Sequence, residues 1–175
     1  MNGDRPPTLV ITCSSCEARL GYFNLRTDAV TLFKWQVKCA ASMPTLPSIS
    51  NCLTSALVAA FSQSGSAKSF LLPLDDSTDM VLYIWVLNQR IRFTSSTVSG
   101  RIPAMKVMWR VVTVKEAEKI LEPVLAREQE VNLPAEAIKA VFEELEQSNL
   151  MYPAKDRVFQ DWKVGLLRSW EESSS

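Results

Sequence analysis

Met80-Val81-Leu82-Tyr83-Ile84-Trp85-Val86-Leu87 is the longest uninterrupted apolar run in this 175-residue chain. A membrane-crossing helix needs about 20 such residues, so the run does not span a bilayer. Val81, Tyr83, Ile84, Trp85 and Val86 suit a pleated strand. Both of its alternating faces are apolar, which predicts a central strand covered on each side. Residues 69–74 form a second apolar run, and Asp75-Asp76-Ser77-Thr78-Asp79 lies between the two as a polar turn. That arrangement predicts a hairpin. Further on, Asn88-Gln89 reads as a turn into a short strand at 91–94, 95–100 as a loop, and 105–113 as another strand.

Upstream, residues 8–12 are a short β-type run that leads into Cys13-Ser14-Ser15-Cys16. Leu20-Gly21 closes the cysteine turn, where glycine tolerates positive φ. Residues 30–38 alternate, with Thr31, Phe33, Trp35 and Val37 on one face and Lys34, Gln36 and Lys38 on the other, which predicts a half-buried strand. Pro44 and Pro47 mark a linker. Ser48 then serves as N-cap of a helix with the stripe Ile49, Leu53, Ala56, Leu57, Ala60 and Phe61, and this helix is expected to pack Trp85. Residues 62–68 read as a loop. In the last third, 114–121 is a short helix ended by Glu122-Pro123. Pro134 opens a longer helix that places Ile138, Val141, Phe142 and Leu145 on one face. Residues 157–170 are apolar enough to dock on the rest.

The fold class is therefore α+β, a twisted and mostly antiparallel sheet packed by helices, with a Cys-x-x-Cys knuckle near the N-terminus. One domain over 1–175 is expected, with a knuckle and strand region at 8–39, a helix and sheet core at 48–113, and a helical part at 114–170.

Composition narrows the function. The chain is 47% hydrophobic, which excludes disorder for most of it. Its opening has no apolar stretch behind a basic one, so no secretory leader is expected. Four cysteines are too few for a disulfide scaffold, and reduced thiols in an intracellular protein are the expectation. The zero net charge hides a polarity. Arg90, Arg92, Arg101, Lys106, Arg110 and Lys115 occur between Met80 and Lys115 without one acid, whereas nine glutamates face three cations between Glu116 and Ser148. Mutual neutralisation within the fold is the plain reading; a basic surface for an acidic partner is the alternative.

Catalytic motifs are scarce. The chain has no histidine, which removes Ser-His-Asp and Cys-His catalysis and every histidine metal site. None of its five glycines builds a phosphate-binding loop. Asp75, Asp76 and Asp79 lack the glycine and terminal glutamate of a calcium loop. The five tryptophans read as core or interface anchors. Cys13 and Cys16 remain as zinc ligands, because a two-residue spacer aims both sulfurs at one ion. A redox pair is weaker, since Cys16 opens no helix, and two inert thiols are the third reading. Cys39 and Cys52 do not form the second knuckle of the usual ribbon. Cys52 sits in an apolar stripe as a small hydrophobe, and Cys39 follows a strand with Lys34 and Lys38.

Cys13-Ser14-Ser15-Cys16, Leu20-Gly21 and Leu32-Phe33-Lys34-Trp35, taken in order, resemble the HECT-like ubiquitin-conjugating-enzyme-binding family. Asn51-Cys52-Leu53, the stretch from Val81 to Asn88, Met105-Lys106-Val107-Met108-Trp109 and Trp162-Lys163-Val164-Gly165-Leu166-Leu167 continue the likeness. It covers most of this chain and the C-terminal half of a typical member. The resemblance implies binding of a ubiquitin-conjugating enzyme and ubiquitin transfer in the HECT manner. It also implies a link to the endonuclease subunit of the pre-mRNA cleavage and polyadenylation machinery, with residence in the cytoplasm and nucleus. Members carry another Cys-x-x-Cys in their N-terminal half, so the resemblance implies that Cys13 and Cys16 are half of a zinc site, in a fragment or a truncated member.

The ligase activity fits the residues poorly. No cysteine follows Cys52, in the region where HECT ligases keep their nucleophile. A protein-binding module is therefore favoured over a thioester-forming ligase. A nucleic-acid-binding zinc protein using the basic stretch stands below both.

Overall fold

The structure is a computed structural model that describes residues 8–38, 46–95, 98–122 and 128–170. The chain divides into two compact units, Met1–Ser48 and Ile49–Ser175. The boundary falls just past Pro44 and Pro47, where the sequence places its linker.

The first unit is a three-stranded antiparallel sheet in the order β1-β2-β3, formed by β1 (Thr8–Thr12), β2 (Arg19–Asn24) and β3 (Ala29–Leu32). Register puts Leu9, Phe23 and Val30 in one cross-strand row and Ile11, Gly21 and Leu32 in the next, so one face is wholly apolar. Asn24 shapes the β2–β3 loop, its side-chain oxygen accepting from the Arg26 and Thr27 N–H groups at 2.9 and 3.2 Å. The strand expected at 30–38 ends at Leu32. The Phe33 carbonyl accepts from both Gln36 and Val37 N–H groups, which winds the chain into a turn. Phe33 is buried there and stacks on Trp35 at 4.8 Å.

The second unit is a six-stranded sheet in the order β7-β4-β5-β6-β9-β8. Its strands are β4 (Lys68–Pro73), β5 (Met80–Ser95), β6 (Val98–Thr113), β7 (Gln129–Leu133), β8 (Val158–Phe159) and β9 (Trp162–Arg168). Among the described residues, only the β4–β7 pair is parallel. Among the described residues, three α-helices complete the unit, α1 (Ile49–Ser64), α2 (Val114–Leu121) and α3 (Ala135–Leu150). The α+β class and the mostly antiparallel sheet follow the sequence reading.

The run at 80–87 is the central strand the sequence predicts, and both faces are covered. On one face Val81 and Tyr83 join Phe70, Leu72, Met108, Val112, Trp162 and Val164, with Ala117 of α2 as the lid. On the other, Ile84 lies in register with Trp109, whose ring meets Phe142 of α3 edge-on at 5.5 Å. Trp85 differs from expectation. It packs with the α2-side cluster and meets Trp162 edge-on at 5.9 Å, and not with α1, because alternation puts it with Tyr83 on the face opposite Ile84.

Several boundaries move for identifiable reasons. Asn88-Gln89 is no turn: β5 runs through it with register shifts between Val86 and Ile91, and the Asn88 side chain accepts from the Arg90 N–H at 3.0 Å. A bulge bends the strand without ending it. Helix α1 continues into the segment read as a loop, with Ser62 and Ser64 hydroxyls donating to the Val58 and Ala60 carbonyls, until Gly65 stops it at φ 71°. Helix α2 matches the expected 114–121, closed by a Thr113–Glu116 capping box. Pro134, expected as the first helical residue, is instead the N-cap of α3, which begins at Ala135. Residues 157–170 are not helical. Trp162, Val164 and Leu166 alternate with Lys163, Gly165 and Leu167, a two-residue period that makes β9. Gln160 at φ 55° turns the chain between β8 and β9.

Helix α3 also closes the outer edge of β9. The Leu166 N–H donates to the Ser148 hydroxyl at 2.8 Å and the Arg168 N–H to Glu144 at 3.1 Å, while Asn149 donates to the Arg157 and Val164 carbonyls at 2.8 Å each. Side chains here satisfy a strand edge that would otherwise be open to pairing.

Candidate functional site

Cys13 through Ala18 form the turn between β1 and β2. The Cys13 N–H donates to the Ala18 carbonyl and the Glu17 N–H to the Cys13 carbonyl, both at 2.9 Å, and Glu17 at φ 57° reverses the chain. The backbone N–H groups of Ser15 and then Cys16 hydrogen-bond to the Cys13 sulfur and hold its thiol below the ordinary value. A turn that stabilises a thiolate suits a metal ligand or a nucleophile. Cys16 is exposed beside it.

The pair fits half of a tetrahedral thiolate site. Among the described residues no group of three or more His, Cys, Asp or Glu side chains converges on one point. Cys39 lies outside the described residues. Cys52 is half-buried in α1, in the second unit, where the sequence reading places it as a small apolar residue. Gly21 serves a different purpose from the one expected. Its φ is not positive; it sits in β2 where a Cβ would lie 2.0 Å from the Thr31 carbonyl oxygen, so glycine is needed for close approach of the strands.

The basic stretch separates into two groups. Arg110 is engaged, pairing with Asp161 at 2.7 Å and lying over the Tyr83 and Trp162 rings at 5.4 and 5.0 Å. Its acid comes from the β8–β9 turn, outside the glutamate-rich segment that simple neutralisation would use. Lys106 lies over the Tyr152 ring at 5.7 Å. Arg90, Arg92 and Arg101 are exposed on the part of the β5–β6 hairpin that extends past β4 and β9. Tyr83 carries no catalytic signal: burial, then the Glu128 charge, pushes its phenol up to about 12, so it remains a neutral donor to Glu128 at 3.1 Å.

Sequence reasoning did not find the groove beside this hairpin, about 410 Å³ in volume, because its lining comes from α1, β5, β6 and the residues after β9. Only the absence of acid from 80 to 115 hinted at it.

The described residues thus form an α+β protein with a Cys-x-x-Cys turn near its N-terminus. A family model described as HECT-like ubiquitin-conjugating enzyme (E2)-binding matches residues 3–164, and the chain belongs to that family. No curated protein and no solved structure matches the chain.

Proposed function

We propose that the chain is a protein-interaction module that holds a ubiquitin-conjugating enzyme and does not itself carry ubiquitin. The family match over 3–164 is the observation that carries this reading. A ligase of the HECT type passes ubiquitin through an activated, accessible cysteine. Cys52 is half-buried within a helix stripe, no cysteine follows it, and Cys13 and Cys16 are spoken for by the knuckle. The double variant Cys39→Ser, Cys52→Ala is expected to bind a ubiquitin-conjugating enzyme within about threefold of wild type, allowing for a few tenths to 1 kcal/mol of stability lost at Cys52. Titration calorimetry reads the affinity. Incubation with activating enzyme, charged conjugating enzyme and ubiquitin should give no reductant-sensitive adduct; a thioester on Cys39 or Cys52 establishes the ligase instead.

Cys13 and Cys16 supply two of four thiolates to a structural zinc ion, which when bound cross-links the turn. What supports this is the knuckle geometry and the lowered Cys13 thiol. With two ligands the isolated chain is expected to lose zinc to a chelator, as elemental analysis after dialysis would show. Stoichiometric, chelator-resistant metal would mean that Cys39 and Cys52 complete the site. The endonuclease subunit of the cleavage and polyadenylation machinery, and residence in both cytoplasm and nucleus, are further parts of the proposal that rest on family resemblance. Reconstituted pull-down with that subunit tests the first, and fractionation of the tagged chain the second.

A further inference from the structure

The groove beside the β5–β6 hairpin has a composition that selects its occupant. Thr54 and Val58 of α1 form one wall, Arg90 and Arg92 of β5 the other, with Pro103 of β6 and Trp170 completing it. Among the described residues, those two arginines are the only ionisable side chains that line it. Arg92 is exposed and makes no ion pair with any described residue. No acid occurs anywhere between Met80 and Lys115, so the β5–β6 wall of the groove carries positive charge alone.

We propose that this groove docks an extended acidic segment of a partner protein, with a carboxylate on Arg92 and an adjoining apolar side chain against Pro103 and Trp170. The proposal goes beyond the binding reading above, because it assigns a site and an occupant's chemistry whether or not that partner is a conjugating enzyme. A guanidinium matches a carboxylate in a two-point fork. An inorganic anion would satisfy Arg92 but leave the carbon surface of Val58, Pro103 and Trp170 wet, whereas a peptide covers both. The exposed Ser55 hydroxyl already donates to the Asn51 carbonyl at 2.9 Å, so its oxygen remains free to accept from a peptide N–H. Trp170, 43% exposed beside an arginine, is the residue pairing that carries binding energy at interfaces. The volume of about 410 Å³ lies within the range of ligand-sized clefts.

The test uses the full chain and a fluorescein-labelled hexapeptide of alternating glutamate and leucine, read by anisotropy. Saturable binding is expected, weakened at least tenfold by Arg92→Glu and changed less than twofold by Arg101→Glu, a charge on the same hairpin that does not line the groove. A hexapeptide of alternating lysine and leucine should not bind. No binding, no effect of Arg92→Glu, or an equal loss with Arg101→Glu would overturn the assignment and indicate diffuse charge attraction. Glu171 and Glu172, outside the described residues, are the competing occupants. Peptide binding that tightens more than tenfold when both become glutamine would give the groove to the chain's own carboxylates and overturn the partner.

Discussion

Trp109→Ala is expected to cost the second unit about 3–5 kcal/mol, the range for deleting a large aromatic side chain from a core. Trp109 is 1% exposed, sits in register with Ile84 at the middle of the sheet, and meets Phe142 edge-on. The Lys163 ammonium lies over its ring at 5.1 Å, and Gly165 makes room for it, since a Cβ there would come within 3.1 Å of Nε1. Ser148, Asn149 and Glu144 tie α3 to the edge of β9, which limits how far the two layers can close on the space. Equilibrium unfolding in urea measures the loss. Trp109→Phe is expected to lose less than half as much, because it keeps a ring against Phe142 and removes a buried Nε1–H that has no partner among the described residues. Trp85→Ala should cost only about 1–2 kcal/mol, since that ring is half-buried and part of its surface is already hydrated. An unfolding midpoint for Trp109→Ala equal to wild type would show that the core does not rest on this residue.

Gly21→Ala is expected to break the first unit. The added Cβ would meet the Thr31 carbonyl oxygen at 2.0 Å, the Thr31 carbonyl carbon at 2.9 Å and Leu32 Cα at 3.0 Å, all backbone atoms. No rotamer change relieves a backbone clash, so β2 and β3 must part, at more than the about 1–3 kcal/mol usual for overpacking. A three-stranded sheet has little reserve to absorb that. Amide exchange provides the readout: the Phe33 N–H, which donates to the Leu20 carbonyl at 2.8 Å, should lose its protection while amides of β5 and β6 keep theirs. Protection at Phe33 unchanged from wild type would mean that the strands accommodate the methyl group.

The parts legible in the sequence were those set by local pattern. Residues 80–87 announce a doubly covered strand because both of their faces are apolar, and no distant residue is needed to say so. Residues 114–121 announce α2, and the structure adds a Thr113–Glu116 capping box that satisfies orphan N–H groups within four residues. Cys13-Ser14-Ser15-Cys16 announces a knuckle for the same reason, its hydrogen bonds all closing between 13 and 18.

What misled the reading was register and competition between nearby groups. Alternation at 31–37 fits a strand, yet the Phe33 carbonyl captures two later N–H groups and the strand stops. Asn88-Gln89 has turn chemistry, yet pairing with β6 on either side carries β5 through it as a bulge. Residues 157–170 are apolar with either period in mind, and the open edge of β6 decides for a strand.

By itself, then, the amino-acid sequence determined the α+β class, the central strand, the short helix, the cysteine pair and the acid-free stretch, because each is set by neighbours in the chain. Only the tertiary structure decided that Trp85 faces the α2-side cluster and Trp109 the α3 layer, that Gly21 is required by a strand 10 residues away in the chain, and that α1 and the hairpin enclose a groove. Those outcomes depend on which strand pairs with which and in what register, and a shift of one residue would send every side chain to the other face.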